Sequence, residues 1–193
     1  LYRANDIENF DTISCRVTLE SGVTCLINMT HACEEAFNPY TVFNGTKGKL
    51  IRTVHYYQTE TDKGIVRTER NTGDHPVWEH MAERFGKLVR GQDDDQIGLA
   101  TLETSRVPVA IVNACSEASE VANIPADIIR TVNLPGEKTV KCIPGIEDAF
   151  RRSANEGKLL SELGCFDWTQ KPGTFNMANY FHFAGPKGAA ITP

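Results

Sequence analysis

The sequence predicts an α+β domain: a largely antiparallel, open-faced sheet with helices packed on one face. Three observations predict it. Apolar residues alternate with polar ones on both sides of Glu20-Ser21-Gly22, as in two antiparallel strands with one buried face. A second turn, Asn44-Gly45-Thr46-Lys47-Gly48, separates two further apolar runs. After residue 76 the period changes to that of amphipathic helices.

The first ten residues are polar and begin without a methionine, which reads as the interior of a longer polypeptide. Ile13, Cys15, Val17 and Leu19 then occupy one parity, continued after the turn by Val23, Cys25, Ile27 and Met29. The other parity carries Ser14, Arg16, Thr18, Thr24, Asn28 and Thr30, with Leu26 as its one apolar exception. Gly22 supplies the positive φ such a turn often needs. Residues 40–43 and 49–51 make two more strands, 54–58 prolong the sheet, and 65–69 follow the turn Asp62-Lys63-Gly64 as a fifth strand.

Asp74-His75-Pro76 opens a helix, with Asp74 as the cap and proline tolerated in the first turn. Trp78, Met81, Ala82, Phe85, Leu88 and Val89 keep helical spacing until Gly91. The longest helix is predicted from 97 to about 119, bent at Pro108. Its stripe of Ile97, Ala100, Thr104, Val107, Ile111, Ala114 and Ala118 suits close packing on the sheet, and Cys115 lies on its apolar side. Asn123-Ile124-Pro125 breaks the chain. Residues 126–132 are expected to form a short helix and 138–142 a strand. Residues 144–156 form a helix with Ile146, Ala149, Phe150 and Ser153 inward, stopped at Gly157. From Cys165 no period survives, and an extended tail is expected to pack through Phe166, Trp168, Phe175, Tyr180 and Phe181.

At 193 residues the chain can bury a sizeable core, and one domain is the expectation. Hydrophobic content of 40% and charged content of 23% are those of a soluble globular protein. A net charge of −5 argues against nucleic acid, which demands clustered Lys and Arg, although a single basic pocket for an acidic substrate stays possible. No apolar run approaches the roughly 20 residues of a membrane span, and no signal segment opens the sequence. The six cysteines include no Cys-x-x-Cys and read as buried reduced thiols of a cytoplasmic protein. The sequons at Asn28 and Asn44 fall in a strand and a turn and are treated as coincidence.

The candidate chemistry gathers at the end of the second strand. His31 leads into a loop holding Cys33, Glu34, Glu35 and Asn38, and strand-end loops on a rigid sheet commonly bind ligands. The competing reading is a histidine that caps the core beside a solvated acidic loop. His75 and His80 are five apart, not the i, i+4 spacing of a helical metal pair, and no metal site is expected. No Gly-x-Ser-x-Gly elbow exists, and Glu34 and Glu35 point apart on an extended chain. Gly45-Thr46-Lys47-Gly48 is read as a hairpin turn, since no helix follows to complete a phosphate loop, and Gly-x-Gly-x-x-Gly is missing.

In order, Asp11-Thr12-Ile13 to Glu20-Ser21-Gly22-Val23, Phe43-Asn44-Gly45-Thr46-Lys47-Gly48-Lys49-Leu50, the helix ending Leu88-Val89-Arg90-Gly91 and the long helix 98–117 resemble the C-terminal domain of the Gfo/Idh/MocA oxidoreductases. The resemblance covers about residues 10–132. It divides the chain into a family-like α+β domain, 1–132, and a C-terminal extension, 133–193, packed on it. It implies the substrate-binding and oligomerising half of an enzyme that oxidises a sugar or polyol with NAD or NADP. The dinucleotide would sit on an N-terminal Rossmann domain outside this chain, so the chain alone is expected to bind no cofactor and to be inactive. Glu137-Lys138 is followed by Thr139 where the family's Glu-Lys-Pro would need proline, and no catalytic residue carries over. The substrate-binding loop implied is His31, Glu34, Glu35 and Asn38, joined by His75. A homo-oligomer is expected through an open sheet face carrying Arg16, Thr18, Leu26 and Asn28. The alternative is a non-catalytic binding or scaffold module derived from the same fold.

Overall fold

The computed structural model describes residues 1–35, 38–69, 77–92, 100–134 and 138–188. Its first elements are β1 (Tyr2–Arg3), β2 (Thr12–Thr18), β3 (Thr24–Thr30), β4 (Thr41–Gly45), β5 (Gly48–Arg52), β6 (Tyr56–Thr61) and β7 (Gly64–Glu69). They are followed by α1 (Val77–Val89), α2 (Leu102–Ala118), β8 (Ala122–Asn123), β9 (Arg130–Leu134), β10 (Lys138–Cys142), α3 (Ile146–Glu156) and α4 (Leu160–Leu163). The class is α+β. Among the described residues every strand pairing is antiparallel except that of β1 with β8. The strands fall into three sheets, ordered β3-β2-β1-β8, β10-β9 and β4-β5-β6-β7, and not into one. Alternation shows that a strand has a buried face; it carries no record of which strand lies beside it.

The chain forms two compact units: Leu1–Glu35 with Ala100–Pro193, and Ala36–Leu99. In the first unit the β2–β3 hairpin has the expected register, Ile13 opposite Met29, Cys15 opposite Ile27 and Val17 opposite Cys25. Its turn places Gly22 at φ 82°. The core sits elsewhere than on this hairpin's apolar parity, of which only Ile13 is fully buried while Cys25 and Met29 are exposed. Tyr2, Ala4, Ala32, Ile124, Ile143, Ile146, Phe150 and Leu160 make the core, with Phe166 and Trp168 against it. Asp11 ties the start of the chain into place: its buried carboxylate accepts from the backbone N–H of Ala4 (3.1 Å) and Asn5 (2.7 Å), the Asn5 side chain (2.7 Å) and Thr12 Oγ1 (3.0 Å).

Helix α3 buries Ile146, Ala149, Phe150 and Ser153, the four residues its spacing predicts, and ends at Gly157. It lies with α4 on the hairpin parity expected to be open. Asn28 Nδ2 donates to Ser153 Oγ at 2.7 Å, the Leu160 N–H to Ser14 Oγ at 3.1 Å, and Arg16 Nη1 to Glu162 Oε1 at 3.0 Å. The face of Arg16, Leu26 and Asn28 is therefore engaged by the chain's own C-terminal helices at Ser14, Arg16 and Asn28, which corrects its assignment as open. The short helix expected over 126–132 is also corrected: residues 126–128 form a turn and Arg130–Leu134 a strand, where Thr131 and Val132 suit the β10 partner. Tail residues Phe166, Trp168, Phe175 and Tyr180 pack on other rings, whereas Phe181 is 81% exposed beneath the Arg106 guanidinium.

The second unit is a four-stranded meander followed by α1. Thr46-Lys47 closes its first hairpin as expected, and Gly48 is obligatory there, since it holds φ 143° and an added Cβ would overlap the Glu60 carbonyl. One register row crosses the sheet as Phe43, Leu50, Thr59 and Val66, with Tyr57 on the same parity. Phe43 and Val66 are exposed in that row. The α1 stripe is helical as predicted, but Trp78, Met81, Phe85 and Val89 are exposed, Trp78 at 78%. Among the described residues no helix is long and apolar enough to cross a membrane.

Candidate functional site

The loop after β3 is held mainly through its backbone. The His31 N–H donates to the Asp11 carbonyl (2.9 Å), and the Ala32 carbonyl accepts from the Ile143 N–H (2.9 Å). Glu147, in the first turn of α3, accepts from the N–H groups of Glu34 (2.7 Å) and Glu35 (3.2 Å). Glu34 Oε2 pairs with Arg130 at 3.4 Å. His31 and Glu35 remain exposed, so the loop offers an imidazole and a carboxylate on a fixed frame. Its thiols are poor nucleophiles. Burial, then the Glu147 charge, pushes Cys33 up, and burial foremost pushes up Cys142, which donates to the Cys33 carbonyl at 3.2 Å.

His31, Glu34 and Glu35 thus share one loop of the first unit. Asn38 belongs to the second unit, where its Nδ2 lies 3.4 Å from His55 Nε2. His75, and Asp74 with it, lie outside the described residues. Among the described residues no three metal-ligating side chains gather.

A cavity of about 660 Å³ opens on the other side of the hairpin. Its origin is topological: β1 meets β2 only at Thr12, so beyond that point this edge of β2 has no neighbouring strand. Residues 14–18 line it, opposite the last two turns of α2, the start of α4 and tail residues 170–177. The tail is pinned to α2 where the helix leaves carbonyls unpaired: Lys187 reaches the Ser116 carbonyl through its N–H (2.8 Å) and the Ala118 carbonyl through Nζ (3.2 Å). Gly173 presses on the same end, where a Cβ would overlap the Ala118 carbonyl.

The cavity wall mixes the hydroxyls of Ser14, Thr18, Ser119, Ser161 and Thr174 with apolar side chains such as Val17, Ile111 and Phe175, and it carries Arg16 and Lys171 against Glu162. Ser14 and Ser119 accept backbone N–H groups from Leu160 (3.1 Å) and Gly173 (3.2 Å), and a hydroxyl that accepts still has a proton to donate. Arg16 and Glu162 neutralise one another, and the Arg16 hydrogen bond holds the Glu162 carboxyl below the usual carboxylate range. Cys15 and Cys115 both line this cavity. Sequence reasoning did not bring the two to one cavity, although its signal was present: Cys15 holds the hairpin parity that faces a helix, and Cys115 the apolar side of the helix expected to face it.

Comparison with protein-family models, curated proteins and solved structures returned no match.

Proposed function

We propose that this chain is the substrate-binding and oligomerising part of a nicotinamide-dependent oxidoreductase acting on a sugar or polyol, with NAD or NADP carried by a separate Rossmann-type domain. The observation that carries the reading is the serial order of its elements. A hairpin turning at Gly22, a second closed at Thr46-Lys47, a helix running to Val89 and a long helix around Pro108 follow one another as the resemblance requires. The hydroxyls of Ser14, Thr18, Ser119, Ser161 and Thr174 on the cavity wall support a polyhydroxyl ligand, because hydroxyls both donate and accept hydrogen bonds. The open row Phe43, Leu50, Thr59 and Val66 supports a homo-oligomer, in place of the hairpin face. Six free thiols support a reducing, cytoplasmic setting.

The scaffold reading has one observation in its favour. Glu34 is paired with Arg130, and Glu147 of α3 is occupied by the loop's backbone N–H groups, so one of the loop's two acids and the acid beneath it serve structure. Turnover of the full-length protein decides. With NAD or NADP and a panel of sugars and polyols, reduced nicotinamide is expected to accumulate, and His31→Ala to lower kcat/KM about tenfold without moving the melting temperature. No turnover with any member of the panel and either dinucleotide would leave the scaffold reading standing.

A further inference from the structure

We propose that the cavity beside β2 takes a sugar acid, an aldonate or uronate, whose carboxylate pairs with Lys171 while its hydroxyls meet those of the wall. The proposal rests on the polyhydroxyl reading of this cavity and narrows it from sugars and polyols at large to their acids. Its basis is the use to which each charge on the wall is put. Arg16 is occupied: Nη1 donates to Glu162 Oε1 (3.0 Å), and Nη2 to Glu162 Oε2 and to the Gly157 carbonyl (2.9 Å). Glu162 is occupied as well, since its Oε2 also accepts the Leu159 N–H at 2.8 Å. Lys171 is the remaining charged side chain of the wall, and it has no ion-pair partner among the described residues.

The backbone of this lysine is anchored on both sides. The Gln170 N–H donates to the hydroxyl of Tyr2, a core residue, at 3.3 Å. The Gly173 N–H donates to Ser119 Oγ at 3.2 Å, with the Ala118 carbonyl where a Cβ of residue 173 would project. Pro172 stands between, and the ring of a proline disfavours helical backbone at the residue before it. The stem of Lys171 therefore leaves a fixed segment beside the Ser119 hydroxyl. On the β2 side, Ser14 is held by the Leu160 N–H at 3.1 Å. Both serines keep a proton to donate, and both suit the hydroxyls of a sugar chain. The charges favour a carboxylate over a phosphate. A phosphate monoester carries a charge of about −1.5 to −2 near neutral pH and is best gripped by a guanidinium fork. The fork on this wall is engaged by Glu162, and one uncompensated ammonium matches one carboxylate.

Calorimetry of the full chain with matched compounds is the test. D-gluconate is compared with D-glucitol, D-galactonate with D-galactitol, D-glucuronate with D-glucose and D-galacturonate with D-galactose. Each acid keeps the other hydroxyls of its partner and carries a carboxylate in place of one primary alcohol or its equivalent. At least one acid is expected to bind saturably and about fivefold tighter than its partner, the gain an ion pair at an exposed lysine can supply. That gain is expected to fade as salt is raised, while the partner's affinity holds. Lys171→Met is expected to bring the acid down to its partner and to leave the partner unchanged. Equal affinity for acid and partner in the wild type overturns the proposal and leaves the polyhydroxyl reading of the cavity standing. No saturable binding by any compound overturns both. A preference for the acid that survives in Lys171→Met, or acetate that binds as tightly as the acid, also overturns the proposal. If the variant fails to fold, the wild-type preference and its salt dependence decide alone.

Discussion

Gly48 shows how a single position sets a hairpin. Its backbone runs at φ 143° with the Glu60 carbonyl where a Cβ would project, so an alanine there meets both strain and overlap. Gly48→Ala is expected to cost about 2–4 kcal/mol in urea unfolding, against a few tenths for an exposed, relaxed position. The turn was legible because Gly45 and Gly48 punctuate two apolar runs. The Asp11 cluster was not. A carboxylate buried by its partners looks in sequence like any surface aspartate, and Ala4, Asn5 and Thr12 reveal themselves as donors only once the chain has folded back. The same holds for Cys15 and Cys115, each of which was assigned a buried slot while their place on one cavity depended on how α2 is placed.

At the level of elements, α3 was read almost residue by residue, because a narrow apolar stripe bounded by Gly145 and Gly157 admits one helix and one inward face. What that face would cover was illegible. Strand β1, of two residues, and helix α4, of four, are too short to show any period. The join between α4 and β2 has a pH signature. Glu162 is held below the usual carboxylate range chiefly by Arg16. Its contribution is thus complete above the unfolded carboxylate range and disappears as pH falls through the depressed value. Both side chains are about a third exposed, so the pair contributes only about 0.2–1 kcal/mol. Denaturation midpoints of wild type and Glu162→Gln are expected to differ at neutral pH and to converge on acidification. A difference that stays constant down to the acid limb would assign the effect to packing.

For the whole molecule, the α+β class followed from periodicities, but the division into sheets and units did not, because it depends on partners distant in sequence. The exposed row on the second sheet tests the assembly. If that row is the oligomer contact, Val66→Lys shifts the sedimenting species to the monomer while the circular dichroism stays native. A wild-type chain that is already monomeric, or a lysine variant that stays associated, removes it. The second unit is one uninterrupted run, Ala36–Leu99, whereas the first is assembled from both sides of it. The ties that complete the first unit are long: Arg3 reaches Asn123 and Arg16 reaches Glu162, 120 and 146 residues away. During synthesis the meander can close while α3 and α4 are still untranslated, leaving β2 and β3 emerged from the ribosome with one face bare. Loop closure over such spans is slow, and an uncovered hairpin in the meantime is a template for wrong pairing. The two phenylalanine-free strands that wait longest, with Ser14, Arg16, Thr24 and Asn28 along one side, carry on that face the polar residues that keep a nascent chain from aggregating before its last helices arrive.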